Sequence, residues 1–160
     1  MEPFVILGLC YTYAMLYDDL LKVPRPCPFC SPARDKSIIA ENTTAYLTYA
    51  LAPYHPDHLL VIPKRHIVNI LDVTTVEEED IYALMKKALT ALNREDYKDI
   101  SVLVRDGDNT MKTIPHLHYN IIPNTRLGDI DHEDTKRITL SDTEAVAVLK
   151  RMKALIEAPV

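Results

Sequence analysis

The stretch Ile114-Pro115-His116-Leu117-His118-Tyr119-Asn120-Ile121-Ile122-Pro123 decides how this chain is read. In a strand, side chains alternate between faces, so residues two apart lie about 7 Å from one another on the same side. His116, His118 and Asn120 then share one face, and Leu117, Tyr119 and Ile121 share the other, which is expected to be core. A strand is predicted over 114–122, the longest in the chain, stopped by Pro123, which cannot donate to a ladder. Two imidazoles and an amide in strict alternation occupy a face that packing would otherwise use. Either something binds there or the strand is an ordinary edge strand with a solvated side.

Working outward, the second informative segment is His58-Leu59-Leu60-Val61-Ile62-Pro63-Lys64-Arg65-His66. A compact apolar run ends at Pro63, and a short basic turn delivers His66. Further strands are expected over 37–41, 44–51 and 100–104, the last ended by the turn cluster Asp106-Gly107-Asp108-Asn109. Thr74-Thr75 precede Glu77 and Glu78, a capping-box pattern, ahead of Ile81, Leu84, Met85, Ala88, Leu89 and Leu92 at helical spacing. A second box, Ser141 with Glu144, opens a C-terminal helix whose buried stripe is Ala145, Val148, Leu149, Met152, Leu155 and Ile156. Residues 9–22 suit a short helix. The order of elements predicts an α+β domain: an antiparallel sheet of about five strands with one long helix and a C-terminal helix. The chain divides into an N-terminal appendage (1–26), a core (27–125) and a C-terminal loop and helix (126–160), within a single domain overall.

Composition narrows the function. With 160 residues, 48% hydrophobic and 26% charged, the chain can bury a core without disulfides. Only three glycines, Gly8, Gly107 and Gly128, stand far apart, which excludes glycine-rich dinucleotide and P-loop phosphate cradles. A net charge of −5 and the lack of a basic run argue against a nucleic-acid duplex as partner. The apolar N-terminus is broken by Asp18 and Asp19 and has no basic leader, so neither a signal peptide nor a membrane span is expected. Cys27-Pro28-Phe29-Cys30, in a stretch with Pro24, Pro26 and Pro32, reads as a metal or redox pair on a knuckle in a reducing, cytoplasmic setting. His132, among Asp129, Asp131, Glu133 and Asp134, reads as part of a solvated acidic loop.

Taken together, the Cys-x-x-Cys pair, the Ile-Pro-Lys-x-His turn to His66 and the His-x-His-x-Asn strand resemble the histidine triad superfamily over roughly residues 27–123. That family's signature strand alternates three histidines with apolar residues. The resemblance implies a nucleotidyl hydrolase or transferase in which His118, the middle position, attacks an α-phosphate and becomes transiently nucleotidylated. It implies that the backbone carbonyl of His116 holds the other ring nitrogen of His118. It makes Asn120, Thr113 and the backbone amides of 111–113 candidate phosphate donors. It also implies a structural, closed Cys₂His₂ zinc site from Cys27, Cys30, His66 and His116, and a homodimer. Three positions depart from the family pattern: Asn120 stands in the third triad place, and Tyr49 and Arg105 stand where many hydrolase members carry histidine and asparagine. Tyr49 and Arg105 are therefore candidate substrate contacts of altered type. His58 is expected to be structural. A zinc-stabilised nucleotide-binding module without efficient turnover is the alternative. A metal enzyme with His116 and His118 both on one ion is a third reading.

Overall fold

The computed structural model describes residues 5–6, 9–10, 16, 19, 26–107, 113–125 and 138–157. Two short strands, β1 (Val5–Ile6) and β2 (Leu9–Cys10), pair antiparallel. Leu9 and Cys10 are thus extended instead of opening the helix expected over 9–22; β-branched Val5 and Ile6 favour extended backbone and supply the partner. Most of the remainder of that stretch lies outside the described residues.

The body of the molecule is a five-stranded antiparallel sheet of β3 (Ile38–Glu41), β4 (Ala45–Tyr49), β5 (Leu59–Pro63), β6 (Ile100–Val104) and β7 (Tyr119–Pro123), in the order β3-β4-β5-β7-β6. The long helix α1 (Thr75–Arg94) and the C-terminal helix α2 (Asp142–Glu157) complete the α+β fold. Both expected capping boxes form. Thr74 Oγ1 accepts from the Glu77 N–H, and Ser141 Oγ accepts from the Glu144 N–H, each glutamate bonding back to the cap residue.

The central strands β4 and β5 are buried along their whole length because the sheet is covered on both faces. One face packs Leu47, Tyr49, Leu59, Val61 and Ile121 against Ile81, Leu84, Ala88 and Leu92 of α1 and Ala145, Val148 and Met152 of α2. The opposite face carries Tyr46, Ala50, Leu60 and Ile62, packed under Phe29 and Ile114. The Tyr46 hydroxyl donates to the Phe29 carbonyl at 3.1 Å, tying the cysteine knuckle to the sheet.

One strand differs from expectation in a way that shapes the site. Only Tyr119–Pro123 is in the ladder, and residues 114–118 are not. Pro115 has no N–H to give. The His116 N–H bonds the Ile114 carbonyl at 2.8 Å, and the Leu117 N–H bonds the Ile67 carbonyl at 2.6 Å. The chain therefore turns out of the sheet before His118, and His116 is carried away from the strand face that Asn120 occupies.

The turn after β5 is held from a second direction. Arg65 donates to both carboxylate oxygens of Glu77 at 2.9 and 2.8 Å, and Thr74 donates to the same carboxylate from its N–H and its hydroxyl. Glu77 is buried, and these bonds, led by that to Arg65, hold its carboxyl down at about 2 against an ordinary 4.5. A depressed carboxyl stabilises the fold above its unfolded value and loses that contribution as pH falls through its folded value. Glu77→Gln should therefore be less stable than the parent above pH 5, and the gap in urea midpoint should close between pH 4.5 and about 2. A gap that stayed constant over that range would show that the carboxylate charge is not what stabilises the turn.

Candidate active site and metal centre

The cysteine knuckle forms because proline-rich backbone cannot enter a ladder and instead turns on itself. The Cys30 N–H bonds the Cys27 carbonyl at 3.1 Å, which brings both thiols to the same side. Opposite them stand His66, delivered by the turn after β5, and His116, on the segment that leaves the sheet. Cys27 Sγ lies 3.5 Å and Cys30 Sγ 3.4 Å from His116 Nδ1, and Cys30 Sγ lies 3.3 Å from His66 Nδ1. All four donor atoms fall within 4.8 Å of one another. Tetrahedral zinc with ordinary Zn–S and Zn–N bonds has ligand–ligand edges of roughly 3.5 Å, so the donor set fits such an ion in type, number and spacing. His116 is fully buried, and its Nε2–H donates to the Pro63 carbonyl at 2.9 Å, leaving Nδ1 as the lone-pair nitrogen that faces the thiols. These four residues could therefore hold a metal ion, with Nδ1 as the ligating atom of both histidines.

His118 does not join that cluster through its Nδ1. That nitrogen donates to the backbone carbonyl of His116 at 2.7 Å, which fixes Nδ1 as a protonated nitrogen and turns Nε2 to the opposite side of the ring. Phe29, between the two cysteines, sets its ring edge-on to His116 and His118, with centroids 5.7 and 5.4 Å away. The aromatic residue inside the Cys-x-x-Cys pair thus steadies both imidazoles. The sequence reading assigned it no role, although its place between two ligands was the available signal.

Asn120 sits on the knuckle-side face of β7, paired with Leu60 of β5 and Leu103 of β6. Its amide is 8% exposed and is held at both ends. Asn120 Nδ2 donates to the Leu103 carbonyl at 3.1 Å, and Asn120 Oδ1 lies 3.1 Å from His58 Nε2. His58 Nδ1 in turn accepts the Tyr54 N–H at 3.3 Å. Every donor is then matched to an acceptor: Tyr54 N–H to His58 Nδ1, His58 Nε2–H to Asn120 Oδ1, and Asn120 Nδ2–H to Leu103. His58 is buried, and its Nε2 faces the third residue of the motif.

Other expected residues are placed differently. Tyr49 points into the helix-covered core, on the face opposite Asn120, so the structure does not bring it to this cluster. The reason is parity: Tyr49 shares a face with Leu47 and Ala45, whereas Thr48 pairs with Leu60 and so falls in line with Asn120. Burial, followed by the Asp142 charge, pushes the Tyr49 phenol up to about 12. Arg105 follows Val104, whose partner is Tyr119, so it stands at the end of the sheet where His118 enters β7. Thr113 is exposed at the start of the segment that carries His116. Residues 111 and 112, and His132 with its acidic neighbours, lie outside the described residues.

The arrangement is a buried imidazole that bridges a possible metal site to a second imidazole of defined tautomer, beside a fixed amide. A model of the HIT domain family matches residues 31–127. The nitrilase and fragile histidine triad fusion protein NitFhit of Caenorhabditis elegans is 32% identical over 96 residues, covering 59% of this chain and 22% of that protein. The bifunctional bis(5'-adenosyl)-triphosphatase/adenylylsulfatase FHIT of Arabidopsis thaliana is 28% identical over 110 residues, covering 68% of this chain and 61% of that protein. The chain thus spans less than two thirds of either relative. A solved structure of a hypothetical histidine triad nucleotide-binding protein from Sulfolobus tokodaii superposes with a TM-score of 0.67 at 23% identity, over 82% of this chain and 92% of that one, which shows a shared fold. The family match takes in the whole sheet, the long helix and His58, His66, His116, His118 and Asn120, and on that ground the chain belongs to the HIT domain family.

Proposed function

We propose that this protein is a nucleotidyl hydrolase or transferase in which His118 attacks the α-phosphorus of a nucleotide. The observation that carries this reading is the 2.7 Å hydrogen bond from His118 Nδ1 to the His116 carbonyl, because it commits Nε2 to be the nucleophile. The Nε2 lone pair forms a bond to phosphorus while the bond to the leaving group breaks. The resulting imidazolium keeps its Nδ1 proton, and the carbonyl dipole of His116 faces the charge that develops. Water then attacks phosphorus, the P–N bond returns its electron pair to Nε2, and the nucleoside monophosphate leaves with one proton released to solvent. Thr113 and Arg105 are the side chains we assign as donors to the phosphate oxygens. The Arabidopsis relative's name, a bis(5'-adenosyl)-triphosphatase, favours substrates in which a nucleotide carries its leaving group on the α-phosphate.

We further propose that Cys27, Cys30, His66 and His116 hold zinc as a structural ion. Four protein donors leave no position open for water. Its contribution would be to lock the knuckle to the sheet and to fix the His116 backbone, whose carbonyl orients His118. The thiol pair suits the reducing cytoplasm. Among the described residues no helix is long and apolar enough to cross a membrane. β6 is one of the two edge strands of the sheet, the other being β3, and its Val102 is 44% exposed, so a second copy could extend the sheet there as a homodimer; analytical ultracentrifugation would report a single-chain mass if it does not.

Adenosine monophosphate release from diadenosine triphosphate should fall by at least about a thousandfold in His118→Ala, with bound zinc, measured by elemental analysis, unchanged. Nucleotide binding without turnover in the parent protein would favour the alternative of a binding module. Loss of metal in His118→Ala would favour an ion that both histidines share.

Cys27→Ser and His66→Ala should each lose zinc and melt several degrees lower than the parent, since metal binding to such a site is coupled to folding. Stoichiometric zinc retained in either variant would remove that residue from the ligand set.

A further inference from the structure

We propose that the relay from Tyr54 through His58 and Asn120 to Leu103 is a leaving-group filter, restricting the site to nucleotides whose leaving group departs as an oxyanion and excluding amines bonded to phosphorus. This inference rests on the nucleotidyl-transfer reading of His118.

The direction of the relay is dictated at both ends by backbone. Tyr54 offers an N–H and can only donate; Leu103 offers a carbonyl and can only accept. Between them, His58 must accept at Nδ1 and donate at Nε2, and Asn120 must accept at Oδ1 and donate at Nδ2. Reversing the amide would set its NH₂ against the His58 N–H and its oxygen against the Leu103 carbonyl. A second proton on His58 would point at the Tyr54 N–H. His58 and Asn120 are themselves buried, so either arrangement leaves like groups set against each other inside the fold. The third position of the motif is therefore held in one orientation, and an amide there has no proton that it can release.

The chemistry of departure then differs between substrate types. When His118 Nε2 attacks a phosphoanhydride, the P–O bond breaks with its electron pair on oxygen, and the leaving phosphate is a stable anion that needs no proton. When it attacks a phosphoramidate, the P–N electron pair ends on nitrogen. Without a proton donor the product would be an amide anion, which is far too basic to leave. Protonation of the nitrogen by a placed acid would solve this and is ordinarily worth about 10²–10⁴-fold. Asn120 cannot supply it.

The test compares kcat/KM of the full-length zinc-loaded protein on diadenosine triphosphate and on adenosine 5′-phosphoramidate. The triphosphate should be preferred by at least about a hundredfold, and Asn120→His should shrink that preference by about tenfold or more by raising phosphoramidate turnover. A smaller preference in the parent, or a preference unchanged in Asn120→His, overturns the filter and leaves the His118 reading standing. No turnover of either substrate overturns the His118 reading and the filter with it. Should Asn120→His fail to fold, the parent alone decides, on adenosine 5′-aryl phosphates of graded phenol acidity. A steep fall in rate with leaving-group basicity supports the filter, and a flat dependence overturns it.

Discussion

Beyond its backbone N–H, which turns back to Ile114, His116 is held at three further atoms, and the rest of the site follows from those. Its Nε2–H goes to the Pro63 carbonyl at the end of β5, its Nδ1 faces the two thiols, and its own carbonyl receives His118. One fully buried residue therefore couples the sheet, the knuckle and the second imidazole. Each bond removes a degree of freedom from the next. The Pro63 carbonyl sets the tautomer of His116, that tautomer directs a lone pair at the cysteines, and the backbone so fixed sets the tautomer of His118. A buried imidazole with both nitrogens facing fixed partners is held in one orientation, which makes the arrangement stiff.

The sheet around it is built to hold that residue. Arg65 and Glu77 fix the turn bearing His66 to the first turn of α1, so this exposed histidine is held by the same helix whose apolar stripe covers the far face. Asp80 of α1 accepts from the N–H and hydroxyl of Thr44, just ahead of β4, at 2.9 and 2.7 Å. The helix therefore serves twice: its buried side supplies much of one core layer, and its N-terminal carboxylates clamp the loops on the site's edge. Phe29 and Tyr46 perform the corresponding task on the other face, where a hydroxyl-to-carbonyl bond and two ring contacts stand in for helical packing.

Much of this is legible in the sequence because it depends on local periodicity and spacing. The apolar stripes and capping boxes of both helices announce them, and the strands at 59–63 and 100–104 are short apolar runs punctuated by proline and acidic turn residues. The cysteine pair could be named from its own spacing, and His66 and His116 only through the resemblance to the histidine triad family. What escaped reading depends on non-local pairing. Alternation alone carries the β7 strand back to residue 114, but the Ile67 carbonyl, 50 positions away from Leu117, draws the chain out of the ladder. Counting back from Pro63 leads to Tyr49, whose side chain lies in the helix-covered core, because parity relative to Asn120 is fixed only by the register between strands. The role of His58 is invisible for the same reason: its partner is 62 residues away.

The C-terminal helix lies beyond the end of the family match at residue 127, yet the domain is not self-contained without it. Asp57, beside His58 and 3% exposed, receives the Tyr97 hydroxyl at 2.6 Å and is ion-paired with Arg151 of α2. A buried carboxylate stripped of its cation is costly. A polypeptide trimmed at the family boundary would leave that charge with a phenol alone, directly behind the imidazole that aligns Asn120. The evolutionary unit and the physical unit therefore have different edges in this chain, and the smaller of the two would be a poor choice for expression on its own.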